Sequence, residues 1–145
     1  MDNTLPITIE GKTPQEMRNS IFALEAYMLK MPHSVTELPL KHYFSHGIYM
    51  REISIPAGMV ITGKIHLTGH LSILSKGDVT VWTDEGMKRL KASSVIQSKP
   101  GIKRVIYAHE DSVWITVHHT FEKCPDTIEA LITTNDPTLF ITEGA

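Results

Sequence analysis

The feature that most constrains this fold is a series of short segments from Ile48 to Thr120 in which apolar and polar residues alternate. A period of two places successive side chains on opposite faces of a β-strand. Turn-forming residues separate the segments, for example Pro56-Ala57-Gly58, Asp84-Glu85-Gly86 and Pro100-Gly101. The predicted strands are residues 48–55, 59–67, 70–75, 79–83, 87–90, 94–97, 103–107 and 113–120. Such even spacing of short strands indicates a sandwich or barrel, so we predict a mainly β chain with one barrel over residues 41–122.

Helices are expected on both sides of this barrel. Thr13-Pro14-Gln15-Glu16 is typical of a capping box, and Pro32 is expected to end the helix at about residue 31. Spacing of three and four residues gives this helix an amphipathic stripe that we expect to pack on the barrel, consisting of Met17, Ile21, Leu24, Met28 and Met31. It lies in an N-terminal extension over residues 1–40. A short second helix capped by Asp126 is predicted in a C-terminal tail over residues 123–145.

Charge and composition exclude several classes of function. The formal net charge is -2 and the sequence pI is about 6.4, which argues against a protein whose main role is nucleic-acid binding. No apolar run has the length of a membrane span, and the first residues do not have the pattern of a secretory signal. Cys124 is the only cysteine, so an internal disulfide is excluded and a cytoplasmic location is expected.

Two motifs in the strand-rich region resemble those of the cupin superfamily. Gly58, Lys64-x-His66, His70 and Gly77 have the spacing of the first cupin motif, and Pro100-Gly101 followed by Arg104 resembles the second. The resemblance implies a single cupin-type jelly-roll barrel. A typical cupin site has three histidines and one carboxylate, whereas the matching positions here are Lys64, His66, His70 and Arg104. Because two of these positions carry cations, the resemblance implies no catalytic activity for this chain.

A closer resemblance is to small cupin-like proteins encoded by tailed bacteriophages. It rests on stretches from most of the chain, namely His42-Tyr43-Phe44, Tyr49-x-Arg51, Ile55-Pro56-Ala57-Gly58, Gly63-Lys64-Ile65-His66, Ile73-Leu74-Ser75-Lys76-Gly77 and Pro100-Gly101-x-Lys103-Arg104. The resemblance implies a homo-oligomer, with a virion protein or a host protein as its partner. It also implies the virion or the host cytoplasm as the location.

Strand alternation brings several candidate site residues to one interior. Lys64 and His66 share a face, and His70 rejoins it if the turn at Thr68-Gly69 keeps the parity. His118 joins Arg104 on that face if residues 109–111 form a three-residue turn.

Three interpretations of this cluster stay open. His66, His70 and His118 are candidate ligands for one divalent transition metal, that is zinc, iron or nickel. Lys64, His66, His70 and Arg104 are candidate ligands for a small anion. The third alternative is a hydrogen-bonded polar cluster without a ligand. The function we predict is that of a non-catalytic structural or interaction protein, a phage virion or assembly component. The alternatives are an anionic-ligand binder and a metal-dependent cupin enzyme.

Overall fold

The computed structural model describes residues 12–30 and 38–136. These residues form two α-helices and eleven β-strands. The elements in chain order are α1 (Pro14–Leu29), β1 (Leu40–Ser45), β2 (Ile48–Ile55), β3 (Val60–Thr62), β4 (Ile65–His66), β5 (His70–Lys76), β6 (Asp78–Thr83), β7 (Gly86–Lys91), β8 (Ser94–Ser98), β9 (Val105–Ala108), β10 (Ser112–His119), α2 (Pro125–Ile132) and β11 (Thr133–Thr134).

The strands form three antiparallel sheets. A five-stranded sheet has the order β1-β2-β10-β5-β8, a four-stranded sheet has the order β3-β9-β6-β7, and β4 pairs with β11. The inner faces of the two larger sheets enclose an apolar core made of Ile55, Leu74, Val79, Val81, Ile106, Ala108 and Trp114. The predicted mainly β jelly roll with a helix at each end is therefore confirmed.

The strand predictions differ from the structure in three places, one of which is the unpredicted two-residue strand β11. The segment predicted as one strand over residues 59–67 is two strands, β3 and β4, separated by Gly63 and Lys64. The Gly63 amide leaves the strand pairing and donates to the Arg104 carbonyl at 3.1 Å. Strand β1 was not predicted, because all six of its residues are exposed and no alternation of burial shapes its sequence.

Helix α1 packs on the outer side of the four-stranded sheet. The predicted capping box is present, with Thr13 and Glu16 each bonding the other's backbone amide. Met17 and Ile21 on the helix pack against Trp82 and Val105, as expected for the apolar stripe. Among the described residues, α1 ends at Leu29. The predicted helix end at Met31 and Pro32 lies outside the described residues. Within the described part of the chain, no helix is long and apolar enough to cross a membrane.

A buried lysine fastens α1 to the barrel as well. The Lys103 ammonium donates to the Glu25 carboxylate of the helix at 3.1 Å and to the Gly63 carbonyl at 2.8 Å. Burial lowers the pKa of Lys103, while the charge of Glu25 opposes that shift. The ion pair with Glu25 offsets part of the free-energy cost of burying the Lys103 ammonium.

Helix α2 begins two residues earlier than predicted. Cys124, rather than Asp126, is the N-cap residue, and its side chain makes no capping bond. Pro125 occupies the first helical turn, which it favours, so Asp126 lies inside that turn, where its charge is favourable near the helix N-terminus. The helix leads into β11, where Thr133 pairs with His66 of β4. The part of the C-terminal tail from residue 137 onward is outside the described residues.

Candidate metal and anion site

Three histidines meet inside the barrel. His66 ends β4, His70 begins β5, and His118 lies in β10 next to β5. Their ring centroids are 4.2 Å (His66 to His70), 4.7 Å (His70 to His118) and 5.3 Å (His66 to His118) apart. One ring nitrogen of each lies within 4.8 Å of the others. The turn between β9 and β10 has three residues, 109–111, which is the length that the sequence argument needed to bring His118 inward.

The three imidazoles are held in the neutral form. Burial lowers the pKa of His66 to about 2 and the pKa values of His70 and His118 to about 4. His70 and His118 are only 7% and 3% exposed. The positive charge of Arg51 lowers all three pKa values further. Neutral imidazoles have a free ring nitrogen lone pair, which is the form that binds a metal ion.

The free nitrogens are identifiable from their hydrogen bonds. His70 Nδ1 lies 3.3 Å from the Thr68 carbonyl, which can only accept, so that nitrogen carries the hydrogen and Nε2 has the lone pair. This Nε2 atom is buried without a partner among the described residues, as are His66 Nδ1 and His118 Nδ1. Buried polar atoms are nearly always hydrogen-bonded, so three unpaired nitrogens in one place indicate a ligand site.

A second polar row lies beside the histidines on the inner face of the five-stranded sheet. Arg51 of β2 pairs with Thr116 of β10, and Thr116 pairs in turn with Ser72 of β5. The hydroxyls of Thr116 and Ser72 are also buried without a partner among the described residues. Arg51 was not predicted as a site residue. Its signal was available in the alternation of β2, which places Arg51 on the same face as Tyr49, Ile53 and Ile55.

Arg104 approaches the cluster from the segment before β9. It is 8% exposed, donates to the Ser98 hydroxyl, and lies 5.7 Å from the centre of the Trp114 ring. Burial lowers the pKa of this guanidinium to about 10. The charge of Arg104 contributes to the lowered pKa values of His66 and His70. Arg104 therefore acts on His66 and His70 through its charge, while its role in ligand binding stays a prediction.

Lys64 forms an ion pair with helix α2. Its ammonium lies 3.0 Å from the Glu129 carboxylate of α2, and both side chains are about half exposed. The break between β3 and β4 interrupts the alternation that would have placed Lys64 and His66 on one face. A role of Lys64 in ligand binding stays a prediction, while its observed partner is α2.

Tyr49 lies next to His118, on the side of the three histidines that faces β1. Its ring stacks on His118 with the centroids 6.4 Å apart, and its hydroxyl lies 2.6 Å from His42 Nδ1. Burial raises the pKa of Tyr49, so its hydroxyl keeps its proton. The Tyr49 hydroxyl can donate this proton to His42. Tyr49 therefore forms one wall of the site while its hydroxyl bonds His42 and not a histidine of the cluster.

Comparison with known proteins places the fold. No family model matches the chain, and no curated protein matches it. Three solved structures superpose on it with a TM-score of 0.50. An RmlC-like cupin from Shewanella frigidimarina is 18% identical over 64% of this chain and 85% of its own. The chain has a cupin-type fold.

Two further neighbours agree. The cupin domain of an XRE-family transcriptional regulator from Enterobacter cloacae is 10% identical and covers 59% of this chain and 98% of its own. A protein of unknown function from Rhizobium leguminosarum is 17% identical and covers 61% of this chain and 86% of its own. In this barrel, Arg104 lies just before β9, and the third imidazole of the cluster comes from His118 on β10.

Proposed function

We propose that this cupin-type protein binds one divalent transition-metal ion through His66, His70 and His118. The observation that carries the proposal is the convergence of one nitrogen from each ring within 4.8 Å. Metal–nitrogen bonds of about 2.0–2.1 Å would draw these nitrogens closer together, so the rings must turn towards the ion when it binds. Neutral, buried, unpaired imidazoles are the donor set that zinc, iron and nickel accept.

The local structure supports this set of ligands. The Thr68 carbonyl holds the His70 ring in the tautomer that directs Nε2 inward, as an outer-shell partner does in known metal sites. Pairing of β4 with β11 and of β10 with β2 fixes the strands that carry the other two rings. Three protein ligands leave at least one coordination position for water or another ligand. The bound ion would supply a Lewis-acid centre there.

The experiment is a metal titration of the chelator-treated protein, purified without a histidine tag. Calorimetry with Zn²⁺, Co²⁺ or Ni²⁺, together with elemental analysis after dialysis, should give one equivalent of metal. We expect His118→Ala to lower the affinity at least about 100-fold, because it removes one of three ligands. His119→Ala is the matched control, since that side chain is exposed and bonds the Gly47 carbonyl at 2.8 Å. Equal affinities in the two variants, or no uptake of any of the three metals, would contradict the proposal.

Metal binding is compatible with the structural or assembly role predicted from the sequence. The ligands lie on three separate strands, so an ion would cross-link β4, β5 and β10 and stabilise the folded barrel. The phage relationship, a virion or host partner and self-association stay predictions. The alternative role as an enzyme would need the open coordination position that three protein ligands leave.

A further inference from the structure

Two arginines, Arg51 and Arg104, act on the buried histidines through their positive charge. Neither Arg51 nor Arg104 forms an ion pair with an acidic side chain of the described residues. Two carboxylates influence pKa values nearby, Glu85 that of Arg104 and Glu129 that of Tyr49. Each of them is paired with a lysine, at 3.4 Å for Lys99 and 3.0 Å for Lys64. The two guanidinium charges are therefore left without a counter-ion from the described chain.

Binding of a divalent metal makes this imbalance larger. His66, His70 and His118 are neutral ligands, so they add no negative charge when the ion enters. Each guanidinium repels an incoming divalent ion, and partial burial weakens the screening of that repulsion by water. A typical cupin carboxylate would offset part of this repulsion, but His70 occupies its place. No described residue supplies this charge, which leaves the role to a bound anion.

The groups that face the interior suit an oxyanion. Arg51 and Arg104 offer planar donor forks that match carboxylate, sulfate and phosphate oxygens. Ser72 and Thr116, which are 0% and 4% exposed, have hydroxyls without a partner among the described residues. Thr116 is the register partner of both Arg51 and Ser72, so these donors form a single row across the sheet. His70 and His118 lie on the same two strands, β5 and β10, in the neighbouring row of the same face.

We infer that the site binds a small oxyanion together with the metal, the anion being held by Arg51 and Arg104 with Ser72 and Thr116. This inference rests on the proposed metal binding and adds the class of the second ligand. The anion takes an open coordination position of the ion and neutralises the two guanidinium groups. By linkage, anion and metal must each raise the other's affinity by the same factor.

The test measures Co²⁺ affinity in chloride buffer, then with sulfate added, and then with malonate added. Sulfate represents tetrahedral, phosphate-like groups, and malonate represents carboxylates. The visible absorption of bound Co²⁺ reports its coordination, so no enzyme assay is needed. We expect at least one anion to raise the affinity about tenfold or more and to change the absorption spectrum. Chelation of free Co²⁺ by malonate lowers the apparent affinity, so an increase cannot arise from that source.

Arg51→Met separates an anion-binding arginine from a merely structural one. Without anion, this variant should bind Co²⁺ more tightly than the unmodified protein, because one repelling charge is gone. With anion, its gain in affinity should fall below threefold. Arg89→Met is the matched control, because Arg89 pairs with Asp78 at 2.8 Å outside the site and the change in net charge is the same. The control should keep the full anion effect.

The outcomes distinguish this inference from the metal proposal. Co²⁺ binding that is identical with and without both anions overturns the inference and leaves the metal proposal intact. An anion effect that survives in Arg51→Met also overturns it. Failure to bind Co²⁺, Zn²⁺ or Ni²⁺ under every condition overturns the metal proposal itself. An effect of sulfate alone or of malonate alone supports the inference and assigns the shape of the anion.

Discussion

Acidification should destabilise the metal-free protein through His66, His70 and His118. Their pKa values are lowered to about 2, 4 and 4 in the fold, whereas a histidine in an unfolded chain titrates near 6.5. The unfolded state therefore binds protons first as the pH falls. Stability is full above about pH 6.5 and is lost as the pH falls from there towards 4.

The size of the loss follows from the unfolded-state titration. At pH 5.5 each unfolded histidine gains roughly 1–2 kcal/mol from protonation that its folded counterpart does not gain, so the three together give about 4 kcal/mol. Urea unfolding with a chelator present, at pH 7.5 and at pH 5.5, measures this difference as a change in the free energy of unfolding.

A variant isolates the contribution of one ring. In His118→Gln the loss between pH 7.5 and 5.5 should shrink by roughly one third, because one of the three buried bases is removed. His119→Gln, at the next position of the same strand but on its exposed face, should keep the full loss. The reasoning is refuted if His118→Gln and the unmodified protein lose the same free energy on acidification.

Three further predictions concern the fold and its assembly. Gly77→Ala should cost about 1–3 kcal/mol more than Gly58→Ala in urea unfolding, because both have positive φ but a Cβ at Gly77 would lie 2.7 Å from the Asp111 carbonyl, whereas Gly58 has open space. Ile21→Ala should lower the free energy of unfolding by about 2–5 kcal/mol and Leu29→Ala by about 0.5 kcal/mol or less, because of these two side chains only Ile21 is buried against the barrel. Equal losses would contradict the packing of α1 on the four-stranded sheet. Light scattering should give a defined oligomer and not a monomer, since large apolar side chains are exposed on the outer face of the five-stranded sheet, namely Tyr43, Leu71 and Val95.

The barrel could be predicted from the sequence because its signal is local and periodic. Strand β2 was predicted with the bounds that the structure shows, since its alternation runs without interruption between two turns. The inward position of His118 followed from counting residues between β9 and β10. Side-chain orientation can be carried from one strand to the next wherever the strands are continuous and the turn length is known.

The sequence predictions miss residues whose surroundings are set by tertiary contacts and not by the local pattern. Lys64 lies at the break between β3 and β4, so parity could not be carried across it, and its partner Glu129 belongs to a helix 65 residues further along the chain. Arg51 was missed for a different reason. The alternation of β2 indicates the face on which Arg51 lies, but only the register of β2 against β10 places it beside Thr116.

The position of β10 in the sheet affects when the site can form during synthesis. This strand is the last of the large sheets to leave the ribosome, yet it lies between β2 and β5 and carries His118. A nascent chain that stops before β10 has His66 and His70 but an open gap in the middle of its sheet. Metal capture and closure of the barrel therefore depend on the same late event, and a chain truncated before residue 112 should lose both at once.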